Sequence, residues 1–217
     1  MKFPHAHAGV KKLFICEIIA IAASVLAIVG AILSAIGLKN EPLLLTGGSL
    51  VLVSGIALVV VFVLQLVGLH QAGKDELQIK YAFCLTVLGI AVGIAASVLG
   101  SLTQTKTIQI VGAFLSSAQT IAALLAAYYV LSGISTLAGK LGDKAMAKQG
   151  KALANWVIIF FLISIVFEFV GIILKTYPVE WLGVLAAILA IAAGLAELVV
   201  YVITFIFYGK AVKMLKK

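Results

Sequence analysis

From Leu13 to Leu38 the chain carries a single charged side chain, Glu17, and apolar runs of this kind recur along its whole length. The hydrocarbon core of a bilayer is crossed by about 20 apolar residues in a helix. A signal sequence has a shorter apolar stretch, about 7–15 residues. The first run, with Lys2, Lys11 and Lys12 ahead of it, therefore reads as a retained helix. Backbone amides and carbonyls in hydrocarbon can pair only with one another, so such runs must be helical.

Charge, proline, glycine and threonine mark the breaks at 39–42 (KNEP), 71–80 (QAGKDELQIK), 102–107 (LTQTKT), 138–151 (AGKLGDKAMAKQGK) and 175–180 (KTYPVE). They divide the chain into spans near 12–38, 43–70, 78–101, 108–137, 152–175 and 180–209. Pro42 and Pro178 suit helix beginnings, where a missing N–H costs nothing. With 64% hydrophobic and only 11% charged residues, the chain has too little polar surface for a soluble fold, which usually carries about 25% charged residues. The expected fold is an all-α polytopic membrane protein of six transmembrane helices, a single transmembrane domain over 1–217.

Lysine placement sets the expected orientation. The N-terminus, the second and fourth loops and the C-terminus hold 13 of the 16 lysines; Lys39, Lys106 and Lys175 are on the other side. Positive charge is retained in the cytoplasm, which puts both termini there. Short loops and lysine in place of arginine suit a bacterial-type cytoplasmic membrane. The net charge of +8 does not indicate nucleic-acid binding, because no basic patch is interleaved with aromatics. Cys16 and Cys84 sit near the same end of their spans, in a compartment where free thiols are the expectation.

The punctuation also suggests repetition. GLHQAGK (68–74), GISTLAGK (133–140) and FYGK (207–210) end the second, fourth and sixth spans, while KLFIC (12–16) and KYAFC (80–84) open the first and third. Three helical hairpins, 8–76, 77–145 and 146–217, could be related by an axis along the membrane normal.

Three carboxylates fall inside spans: Glu17, Glu168 and Glu197. A charge at bilayer depth costs at least about 2.5–3.5 kcal/mol, so such residues face protein or water. Glu197 shares a helical face with Gly194, Ala190, Ala187 and Gly183 on one side and Tyr201, Thr204 and Tyr208 on the other. Glu17 heads a stripe of Ala20, Ser24, Ala27, Ala31 and Ser34, and lies close enough to Lys11 and Lys12 to read as a solvated helix end. Glu168 is flanked by Ser164 and Gly171 on its face. On the fourth span Gln109, Gly112, Ser116, Gln119, Ala123 and Ala126 form a neutral polar face, with Gln119 at the depth of Glu197. No cationic side chain shares that depth, so Glu197 is held neutral, binds a cation or cationic solute, or meets a partner's charge.

The stripe Ala23, Ala27, Ala31 and Ala35 in the first span fits docking of another protein, and Gly89, Gly93 and Gly100 in the third offer a strip for close helix packing. Enzyme signatures are missing: there is no His-Glu-x-x-His, Gly-x-Ser-x-Gly or Walker loop, and His5 and His7 lack further metal ligands. No cofactor is implied. Trp156 and Trp181 read as interfacial anchors. Two functional readings follow. One is a small transporter or channel-like protein with a proton, cation or cationic-solute site built from Glu197, Gln119, Tyr201, Thr204 and Glu168. The other is a non-transporting subunit, scaffold or substrate-binding component that docks a second copy or a partner membrane protein through its small-residue faces.

Overall fold

The computed structural model describes residues 2–37, 41–102, 106–176 and 199–216, with the backbone alone at 100, 102, 106–110, 113, 160, 161 and 164–176. The described residues are helical throughout. They form α1 (Pro4–Ile36), α2 (Glu41–Ala72), α3 (Leu77–Leu102), α4 (Lys106–Lys140), α5 (Lys144–Thr176) and a last helix, α6, over 199–215. Four stretches are long and apolar enough to cross a membrane: Pro4–Ile36, Glu41–Ala72, Leu77–Leu99 and Phe114–Lys140.

The helices overrun the apolar runs. α1 begins at Pro4, so His5 and His7 belong to its first turns and not to a flexible tail. At 33 residues it is about 50 Å long, against about 30 Å of hydrocarbon. The extra turns persist because they are packed. Phe3 supplies no side-chain cap, and Asp75 takes that role from the α2–α3 turn, its Oδ2 accepting the Ala6 amide at 2.7 Å. The α4–α5 turn closes with Gly142 at φ +80°. The Asp143 amide donates to the Ala138 carbonyl and the Gly142 amide to that of Gly139, the pairing of a Schellman motif, which favours glycine. Asp143 then caps α5, its Oδ1 accepting the Met146 amide at 3.0 Å.

Helices α1 and α2 are held by small residues at intervals of seven. In α1 these are Gly9, Cys16, Ala23 and Gly30, all buried; in α2 they are Gly47, Ser54 and Gly68, also buried, with Val61 in the remaining place. The register is constant along the antiparallel pair. A Cβ added at Gly9 would run into the Gly68 carbonyl, and one at Gly30 would lie 2.8 Å from the Gly47 carbonyl. Midway, the Cys16 thiol donates to the Val61 carbonyl at 3.4 Å. A seven-residue period returns to one side of a helix every two turns, with a drift that slow left-handed winding absorbs. Small residues let the two backbones meet there. This seam uses Ala23 internally, whereas Ala31 and Ala35 stay exposed.

The third and fourth helices pair differently. Ile79 lies against Gly133, Gly89 against Ala122 and Gly93 against the Gln119 side chain, so larger side chains of one helix sit over small residues of the other. The packing of Gly100 lies outside the described residues.

The remaining contacts close a ring. α2 meets α3 and α4 meets α5. On α5, Gly150 lies between Ser135 of α4 and the Phe207 ring of α6. α6 returns to α1 through stacked Phe14 and Phe205, 5.1 Å between ring centres. The best-buried large side chains, Val10, Leu69, Ile79, Leu131, Ile134 and Phe207 among them, gather at the lysine-rich end. Farther along, Ile28, Leu45, Leu52, Val59 and Ile94 are exposed, an apolar surface that water would not tolerate. Cys16 and Cys84 are both free thiols.

Two outcomes test this packing in thermal unfolding of detergent-solubilised protein. Gly30→Leu should destabilise by about 1–3 kcal/mol, the usual cost of overpacking. Gly48→Ala and Gly55→Ala, where an added Cβ meets nothing within 4 Å, should be neutral or stabilising by up to about 1 kcal/mol. Asp75→Ala should cost about 1 kcal/mol through loss of the α1 cap and speed hydrogen exchange at the Ala6 amide, with Asp75→Asn intermediate.

Candidate functional site

Inside the ring is a cavity of about 410 Å³ bounded by five helices. α1 contributes Cys16, Glu17 and Ala20; α2 contributes Gln65; α3 contributes Thr86 and Gly89; α4 contributes Gln119; and α6 contributes Tyr208. The seam explains how the α1 side chains arrive there. Cys16 is a seam residue, so Glu17 and Ala20, one and four positions on, lie beside the contact line and face inward.

Among the described residues Glu17 is the one charged side chain in the lining. Its Oε2 accepts a hydrogen bond from the Tyr201 hydroxyl at 2.7 Å, which ties α6 to α1 on the exposed side of the cavity wall. The neighbouring lysines do not neutralise it. The Lys12 ammonium donates to Gln71 Oε1 at 2.7 Å, and Lys11 is exposed. Among the described residues the one ion pair joins Lys140 to buried Glu76 at 2.6 Å. Glu17 is thus a half-buried carboxylate in a cavity and not the solvated helix end its position suggests.

The rest of the lining is neutral and mostly apolar, with a few polar side chains. Cys16 and Thr86 spend their donors on the carbonyls of Val61 and Ala82. Gln65 and Gln119 each bring an amide with a carbonyl oxygen and two N–H donors. Gln119 is positioned by the absence of a side chain opposite: a Cβ at Gly93 would fall 2.8 Å from its amide atoms. A carboxylate offers about four lone-pair directions, and Tyr201 takes one. The arrangement suits a monovalent cation or a cationic solute carrying N–H donors. A hard divalent ion takes six or more oxygen ligands, and no cluster of three or more His, Cys, Asp or Glu side chains forms among the described residues.

Of the residues expected to form the site, Gln119 lines the cavity and Tyr201 bonds to its carboxylate. Thr204 is half-buried on α6, between Tyr201 and buried Tyr208. Glu197 lies outside the described residues, as does the side chain of Glu168. Gln65 was not singled out by sequence, although it stands four residues after Val61 and three before Gly68, on the seam side of α2.

The chain matches no protein-family model, no curated protein and no solved structure.

Tyr201→Phe and Glu17→Gln should prove coupled. In a double-mutant cycle read by thermal unfolding, an interaction energy of about 1 kcal/mol is expected for this partly exposed hydrogen bond.

Proposed function

We propose that the protein is a polytopic membrane protein of six helices that acts as a small transporter or channel-like protein, with Glu17 as its binding site for a proton, cation or cationic solute. The observation that carries this reading is a carboxylate, held by Tyr201, in a cavity bounded by five helices, with no other charged side chain lining it among the described residues. An ionisable residue within a candidate span is a functional-site hypothesis by default; transporter sites lie near the bilayer midplane, and Glu17 stands on the lysine-rich side of that level, five residues past Lys12.

The membrane part of the reading is supported by the four long apolar helices and their exposed apolar faces. Lysine asymmetry supports a cytoplasmic location for the lysine-rich end. The tight pairing of α1 with α2 and of α3 with α4 supports an organisation in helical hairpins. No enzymatic step is proposed. Ala31 and Ala35 are exposed on α1 and support a second reading, a docking face for a partner membrane protein.

The test is infrared difference spectroscopy of the carboxyl region, in nanodiscs, on adding sodium, potassium or small alkylammonium ions. At least one of these should perturb a carboxyl band that Glu17→Gln removes. The same cation should raise the Tm of the wild type by several degrees and leave the variant unmoved. A Glu17 band indifferent to pH and to every cation would sink the reading and leave the docking role.

A further inference from the structure

A second recess lies at the lysine-rich end, away from the Glu17 cavity. It is a groove of about 600 Å³ between the α4–α5 turn and the last turns of α6. We propose that this groove binds the headgroup of an anionic phospholipid.

Its chemistry is two-sided. Lys210 and Lys213 line it from α6, three residues apart and so on one face of the helix. Leu141, Met146 and Met214 provide apolar wall, and Gln149 adds an amide. Neither ammonium has an ion-pair partner among the described residues. The one acid in the lining, Asp143, has its Oδ1 engaged by the Met146 amide. The other acids at this end are also engaged, Asp75 by the Ala6 amide and Glu76 by Lys140. The two ammonium groups outweigh the one carboxylate, so the groove presents net positive charge beside a surface that would favour glycerol and acyl carbons over water.

Its level fits a headgroup. Trp156, half exposed on α5, stands seven residues beyond Gln149, about 10 Å deeper along the helix axis. Exposed tryptophan settles at the membrane interface, which leaves the groove on its aqueous side. The cytoplasmic leaflet is negatively charged, and basic pockets between helices on that side accept anionic headgroups. The proposal rests on the membrane part of the reading above and is independent of Glu17.

The experiment is native mass spectrometry of the full chain released from micelles containing equimolar phosphatidylglycerol and phosphatidylcholine. The wild type should retain one phosphatidylglycerol in preference to phosphatidylcholine, and Glu17→Gln should do the same. Lys210→Gln with Lys213→Gln should weaken retention by about thirtyfold, at roughly fivefold for each lysine. Arginine at both positions should restore it, which separates loss of charge from loss of fold. Lys148→Gln with Lys151→Gln removes two lysines outside the groove and should change little. Equal losses from both glutamine pairs would show diffuse attraction to the charged face and overturn the proposal. Displacement of the lipid by inorganic phosphate or glycerol phosphate at comparable concentration would also overturn it, because the ligand would then be a soluble anion. Absence of any phosphatidylglycerol preference in the wild type would do the same.

Discussion

The contact on which the arrangement depends is the backbone approach of α1 to α2. At Gly9 and Gly68, and again at Gly30 and Gly47, there is no room for a Cβ on the facing helix. Within lipid, apolar surface provides no drive for helices to associate, since the acyl chains are as apolar as leucine. What remains is van der Waals contact at short range, and its strength depends on how near the backbones come. A seven-residue repeat of small side chains maintains that distance along most of both helices. Since the seam fixes the rotation of α1 about its axis, it also directs Glu17 and Ala20 into the ring.

Under the membrane reading, water imposes a different rule where the helices would project beyond the hydrocarbon. There the apolar residues must be covered, and the fully buried Val10, Leu69, Ile79, Leu131, Ile134 and Phe207 lie within a few turns of the lysine-bearing loops. The same end uses its acids for structure. Asp75 caps α1 from a neighbouring turn, Asp143 caps α5, and Glu76 is buried under Lys140. A buried carboxylate that loses its partner is costly, so the Glu76–Lys140 pair fixes how the α2–α3 and α4–α5 turns sit together.

The helices and their order were legible in the sequence because apolar length and loop charge are local properties. Their ends were less so. α1 begins at Pro4 and not near residue 12, since the cap that supports its first turns comes from Asp75, remote in sequence. The four-residue stripe Ala23, Ala27, Ala31 and Ala35 reads in the sequence as a docking face for another protein, and the contact within the chain is carried by a different spacing. The seven-residue stripe through Gly9, Cys16, Ala23 and Gly30 is the one used, and its signal was its recurrence in α2 at the same interval. Glu17 looked solvated because it follows Lys11 and Lys12 by about a turn and a half. What the spacing could not convey is that Lys12 is committed to Gln71 and that Tyr201 approaches from the last helix.

The segregation of charge bears on how a cation would reach Glu17. Lys12 and Glu17 are five residues apart in α1, about 7.5 Å along the axis, which is within a Debye length at physiological salt. A cation entering from the lysine-rich end must therefore pass a positive rim before it meets the carboxylate. Lys12 and Lys140 are tied to Gln71 and Glu76 at that rim, so their charges do not swing inward to neutralise Glu17. The α2–α3 contact is the slightest between successive helices from α1 to α5, and Gln65 and Gln119 are both exposed beside it. Under the cation-site reading, the positive rim is the barrier a cation meets first, and Glu17 with its neutral glutamine amides is what lies beyond it.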